Sequence, residues 1–357
     1  DISISYEPLA LRGYGVSGTG GALRNISGSN TFGGLITLSS AGGTEIASDS
    51  GTLTITGGTT GNAPLIFDGA GNMVFSTAPI AGTNPITKNG AGTVTYNFPN
   101  TNSGALTINA GTILYGVDNA ILAGTVTVTG GTLDIATFSD MVGTVTLGTL
   151  DLASGTITGS TGMLTSSTWT VYNGTISAII AGDGGALTKS TPGTVILTRP
   201  NLYTGATTIS AGILEIQNNT SLGYIDGATT VSAGATLQIN GSGLSIPEYI
   251  TFSGTGHLYT GAIRNKTGNN TLTGLLTLGA AAMIESDVGT TLTVDTKGLS
   301  ATTLGLTIGG DGNITFTETA PIYGTTATLT KKDTGVLTLE GLNNFTGATN
   351  LSRGEIV

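Results

Sequence analysis

The sequence predicts an all-β protein, a parallel β-helix (β-solenoid) of short stacked strands joined by glycine-rich turns. Three observations carry this: a two-residue alternation of apolar and hydroxyl side chains, glycines at short irregular intervals, and internal repeats.

The alternation is plain in Thr52-Leu53-Thr54-Ile55-Thr56, Thr125-Val126-Thr127-Val128-Thr129, Thr144-Val145-Thr146-Leu147 and Thr291-Leu292-Thr293-Val294. In each, the apolar residues fall on one face of an extended chain, as in a half-buried strand. No window holds a helical period, and the density of Gly and β-branched Thr lowers helix propensity throughout.

With Gly at 59 of 357 residues, the chain needs many positions of unusual backbone conformation or close approach. Collagen is excluded, because the glycines keep no three-residue period and Pro is only 9. Disorder is also excluded: 38% of residues are hydrophobic and only 9% charged, enough to bury a core.

Repeats select the solenoid among all-β folds. Residues 86–111, 187–212 and 329–354 align without gaps and share a pattern close to LTK…GTVTL…N.YTGATTISAGIL. Asn100 falls on Asn201 and Asn343, Tyr203-Thr204-Gly205-Ala206 on Phe345-Thr346-Gly347-Ala348, and Lys88 on Lys189 and Lys331. A longer unit brackets these copies. Residues 22–49, opening Ala22-Leu23-Arg24-Asn25 and closing Ser48-Asp49, return as 262–287, opening Ala262-Ile263-Arg264-Asn265 and closing Ser286-Asp287. A five-residue strand with one apolar face is unstable alone, whereas stacking coils at about 4.8 Å builds a continuous core. At about 20 residues per coil, residues 1–357 read as a single continuous solenoid of some 15 to 18 coils, a rod about 80 Å long. Apolar residues should form inner ladders and threonines outer ones.

The LTK…YTGATTISAG motifs resemble the autotransporter-associated β-strand repeat, or passenger-associated transport repeat, of large bacterial surface proteins. That resemblance implies a right-handed parallel β-helix exported to the surface of a Gram-negative bacterium. It identifies architecture and says little about activity.

Composition narrows the chemistry. Cys 0 removes disulfides, thiol catalysis and cysteine zinc sites. A net charge of −10 opposes a nucleic-acid or anionic-membrane partner. No charged-then-apolar leader opens the chain, and the longest apolar run, Ala280 to Ile284, is too short to span a bilayer. The chain starts and stops inside a repeat, so it reads as a window on a longer protein with neither end capped.

Glycan-active β-helix enzymes need converging carboxylates, or a carboxylate with a basic partner. The best pair is Asp134 and Asp151, in matching Gly-Thr-Leu-Asp contexts that suggest stacking on adjacent coils; they are read as solvated surface acids. His257, the sole histidine, reads as a loop residue and leaves no triad to assemble. Gly309-Gly310-Asp311-Gly312-Asn313 departs from the order of the calcium nonapeptide and occurs once, so it reads as a turn. Lys88, Lys189 and Lys331 lie too far apart in sequence to form one patch, and each is expected to cover a strand edge with its aliphatic stem. Trp169 and Tyr172 point to opposite faces of one strand and form no aromatic platform.

No catalytic, cofactor-binding or metal-binding residue is therefore assigned, and no cofactor is expected. The expected function is a non-enzymatic structural or adhesive extracellular module, in which changing any single acid or lysine leaves behaviour unaltered. Alternatives are a subunit of a self-assembling extracellular fibre or sheath, and a polysaccharide-active enzyme. Expected partners are further copies of the chain, through solenoid ends or lateral faces, or a surface or glycan ligand.

Overall fold

The computed structural model describes residues 1–16, 20–122 and 124–357. The described residues are almost entirely strand and turn, with parallel strands stacked as a β-solenoid. The chain forms two compact units: Asp1–Trp169 with Gly174–Ile180, and Thr170–Asn173 with Ala181–Val357.

In the first unit, strands Ser29–Phe32, Thr52–Ile55, Asn72–Phe75, Thr93–Tyr96, Thr112–Tyr115 and Thr132–Asp134 stack in parallel as one ladder. A second ladder runs through Leu23–Asn25, Thr44–Ser48, Leu65–Asp68, Ile86–Lys88, Leu106–Ile108 and Thr125–Val128. A third joins Leu9–Leu11, Ile36–Leu38 and Thr59–Gly61. The alternation read from sequence decides which side chains enter. Leu53, Met73, Val94, Ile113 and Leu133 form one inner column, and Phe32, Ile55, Phe75, Tyr96 and Tyr115 the next, all buried. Phe75 meets Phe67 at 5.5 Å and Tyr96 at 6.1 Å between ring centroids, tilted or edge-on as ring quadrupoles favour. Each fully buried large apolar residue contributes ~1.5–3 kcal/mol of transfer free energy. Outside, Thr93, Thr112 and Thr132, partly shielded by their neighbours, stack in one column, continued by Asn72 and Thr52.

The second unit repeats the plan. Ala186–Lys189, Thr207–Ile209, Thr229–Val231 and Ile250–Gly254 form one ladder, and Gly212–Ile216, Ala235–Asn240 and Ile263–Thr267 run in another. Ser245–Ile246, Asn269–Leu272, Thr291–Val294, Asn313–Phe316 and Val336–Leu339 make a third. Trp169 of the first unit is fully buried on strand Gly155–Val171, which ends before Tyr172; Tyr172 is partly exposed.

The glycine that ends each repeat shows why that residue type recurs. Gly111, Gly212 and Gly354 have φ of +66°, +68° and +81°, a region L-residues avoid. A Cβ on Gly111 would also overlap the Gly90 and Gly92 carbonyls of the coil below. By contrast Gly234, at φ +84°, has nothing within 4 Å of an added Cβ. Gly234→Ala should therefore cost ~1–2 kcal/mol for backbone strain alone, and Gly111→Ala roughly 3 kcal/mol or more. Thermal melting of both variants checks this; equal falls in melting temperature would mean that close packing at the corner adds nothing.

Candidate functional site

The residues that the repeats share converge on the inside of the coils. Lys88, Lys189 and Lys331 are 2%, 0% and 1% exposed, so the expectation that they cover strand edges is overturned. Each occupies an inner position of its ladder, Lys88 between Phe67 and Ile108, Lys189 beside Ile209, and Lys331 between Ile308 and Leu351. The same alternation that buries the Leu or Ile of the LTK or ITK triplet buries the lysine two residues later. That signal was present in the sequence, and the usual exposure of lysine argued against it.

Each ammonium ends at the turn beside the repeat glycine and donates to main-chain carbonyls. Lys88 Nζ reaches the Gly90 and Ala110 oxygens, the latter at 3.4 Å on the next coil. Lys189 Nζ donates to the Thr191 carbonyl, to its Oγ1 at 3.3 Å and to the Ala211 carbonyl at 3.1 Å. Lys331 Nζ donates to the Lys332 oxygen and to the Asp333 oxygen at 2.9 Å. A buried cation survives only where its donors are used, and these carbonyls, left over at a turn, need donors in return. Burial pulls the Lys88 and Lys189 ammonium groups down to about 8. They remain mostly charged at neutral pH.

The 22–49 and 262–287 blocks meet the same need with asparagine. Asn25 Nδ2 donates to the Gly28 and Ser50 carbonyls at 3.3 and 3.0 Å and to Ser48 Oγ at 3.0 Å; Asn265 Nδ2 donates to Gly268 O and Ser286 Oγ. In both blocks a second amide locks the first, Asn30 onto Asn25 at 2.5 Å and Asn270 onto Asn265 at 2.8 Å. Outside them, Arg24 pairs with Asp49 at 2.6 Å and Arg264 with Asp287 at 2.7 Å. Every residue quoted for this long repeat except the apolar ones thus has a structural partner.

The shared asparagine of the shorter repeat works at another corner. Asn100 Oδ1 accepts from Ile80 N and its Nδ2 donates to Ala120 O, both at 2.8 Å, bracketing the coils below and above. Asn201 donates to Ser221 O at 2.7 Å, and Asn343 accepts from Ile322 N at 2.7 Å. Two coils beyond Asn100, Asp140 takes over, its Oδ2 accepting from Ile121 N at 2.8 Å.

Two further buried carboxylates escaped the sequence reading. Glu215 accepts from Gln217, Gln238 and Asn240 and pairs with Lys266 at 3.0 Å. Burial raises its carboxyl, yet the hydrogen bonds from Asn240, Gln217, Lys266 and Gln238 carry it below the ordinary value. Glu248 is 3% exposed, and its carboxylate has one hydrogen bond among the described residues, from Thr229 Oγ1 at 2.9 Å. Burial pushes it up to about 7, against which the Thr229 bond is too weak.

The remaining candidates stay apart. Asp134 lies on a strand beside Leu114 and Thr158, its Oδ1 turned back on Ala136 N at 2.9 Å. Asp151 is exposed in a turn closed by Leu152 N donating to Thr149 O, with Leu152 at φ +65°. The matching sequence contexts therefore fold differently, and the expected stacking of the two acids is absent. His257 lies in a short turn whose main chain donates to Thr236 Oγ1 at 2.8 Å. Asp311 ties one coil to the next through Thr334, accepting from its N at 3.1 Å and from its hydroxyl. Among the described residues no group of three or more His, Cys, Asp or Glu could hold a metal ion, and no helix is long and apolar enough to cross a membrane.

These features define a repeat-built parallel β-solenoid whose shared residues fasten coil to coil. Residues 86–114, 187–216 and 329–357 match the family model of the passenger-associated-transport-repeat, so the chain carries three copies of the repeat that its sequence resembles. Neither curated proteins nor solved structures gave a match.

Removing a corner donor should be costly. Lys189→Ala leaves the Thr191 and Ala211 carbonyls without their donor and opens a void, a loss of ~3 kcal/mol or more. Lys189→Met keeps most of the stem and should lose ~1–3 kcal/mol. Melting temperatures that match wild type in both would refute the clamp. For Glu248 the folded chain binds the proton more tightly than the unfolded one. Its contribution is complete below the ordinary value of 4.5 and is lost as pH rises through about 7. The loss is on the order of 3 kcal/mol. Melting scans from acid to neutral pH should fall for wild type, with this component missing in Glu248→Gln.

Proposed function

We propose that the chain is a non-enzymatic structural segment of an exported bacterial surface protein, each unit a stiff spacer in the passenger. One observation carries the reading: the residues that make the repeat a repeat are directed into the coil corners, the asparagine and two of the three lysines bonding to an adjacent coil, Lys331 to its own turn, and the glycine packing close, all away from any ligand. An enzyme built on this scaffold would repeat its frame and add a site of unrepeated, converging polar groups. Here the carboxylates Asp134 and Asp151 diverge, and Glu215 is saturated by its neighbours. The resemblance to passenger repeats supports export to the surface of a Gram-negative cell, and an adhesive role would be added by outward side chains.

Negative-stain electron microscopy of the purified chain tests the spacer reading. Isolated single particles are expected, and uniform filaments would replace it with a self-assembling fibre. Release of product from neutral or acidic polysaccharides would overturn both. Protease shaving of intact cells carrying the parent protein should remove the segment from the outside; protection until lysis would refute surface exposure.

A further inference from the structure

The second unit holds a shallow, open depression of about 310 Å³ on its outer surface, lined by Ser300, Thr302, Tyr323, Gly324, Thr325 and Asn344. Its floor comes from strands Leu299–Thr302 and Ile322–Gly324, which pair in parallel with a register shift between Ser300 and Thr302. Thr302 sits at φ +53°, a left-handed conformation that costs a β-branched residue of order 1–2 kcal/mol. Ile322 points into the core at 2% exposure, which turns Tyr323 outward at 42%.

The Ser300, Tyr323 and Thr325 hydroxyls form no hydrogen bond with another described residue. Asn344 is held through its Oδ1, which accepts from Gly324 N at 3.1 Å, and its Nδ2 has no partner among the described residues. Thr302 Oγ1 is occupied, donating to Ala301 O at 2.7 Å. Two free hydroxyls and an amide thus surround one exposed tyrosine ring, across coils spaced about 4.8 Å apart.

We propose that this depression is a binding subsite for a neutral saccharide, with a sugar ring resting on the face of Tyr323 and its hydroxyls bonded to Ser300, Thr325 and Asn344. An aromatic face matches the apolar C–H face of a sugar, while hydroxyl and amide groups both donate and accept, as sugar hydroxyls require. None of the lining residues is charged, and the net charge of −10 opposes acidic glycans. A shallow site buries little of its ligand, so single-site affinity is weak. The inference is separate from the spacer reading, since a spacer that binds no glycan would leave that reading intact.

The test is titration of the full 357-residue chain with three arms: neutral homopolysaccharide fragments, galactose-terminated neutral oligosaccharides, and sialylated or uronic-acid oligosaccharides. Binding in either neutral arm, about tenfold weaker in Tyr323→Ala, retained in Tyr323→Phe and unchanged in Tyr259→Ala, a control at an exposed tyrosine in the turn His257–Tyr259 outside the depression, upholds the site; the arm that binds identifies the source. Asn344→Ala should weaken the same ligand several-fold, with a small fall in melting temperature from the lost Gly324 N–H bond. No binding at millimolar ligand, binding confined to the acidic arm, or binding indifferent to Tyr323→Ala would overturn the proposal.

Discussion

The main-chain carbonyls at the corners of each coil are the constraint on which the rest depends. A strand satisfies its N–H and C=O groups against the coils above and below, whereas a turn does so only in part, as Gly92 N does to Gly69 O, and in a narrow solenoid the turns border the core. Left unpaired, each such carbonyl would cost ~1–3 kcal/mol. The chain answers with side chains that reach from an inner ladder to the corner: Lys88, Lys189 and Lys331 in three coils, Asn25 and Asn265 in two others.

The two answers differ in their consequences. An asparagine is neutral, short, and locked by a neighbour such as Asn30 or Asn270. A lysine brings a charge into the core, and its ammonium must make several bonds to offset lost hydration. It also brings a long apolar stem, which fills the column beside Phe67 and Ile108 as a Leu or Met would. The closing glycine belongs to the same device. Only a residue without Cβ leaves space for the carbonyls and the Nζ of Lys88 at the corner where Gly111 sits.

A scaffold made this way divides labour between its surfaces. Inside, repetition is enforced because each coil must match the next at fixed spacing. Outside, a residue needs only to suit an extended strand, so threonine predominates and other side chains are admitted at little cost. Tyr323 occupies such an outer position, and the depression around it depends on a register shift in the ladder beneath. Recognition on this fold is a local departure from a regular exterior and leaves no trace in the repeat pattern.

The division between sequence and tertiary structure follows the same line. Alternation in Thr52-Leu53-Thr54-Ile55 and its counterparts determined strand, face and core, because a two-residue period has one physical reading when Gly bounds it. The repeats determined stacking, since identical units can share one core only by lying over one another. Burial of the lysines was legible from their place two residues after an inward Leu or Ile, but general expectation about lysine outweighed the register. What the sequence could not express was which distant groups meet: the Ala110 carbonyl above Lys88, the Lys266 ammonium against Glu215, or the isolation of Glu248. Nor could it tell the strand at Asp134 from the turn at Asp151, whose local sequences match. Those outcomes depend on coil length and on what the adjacent coil presents, and only the assembled stack of coils decides them.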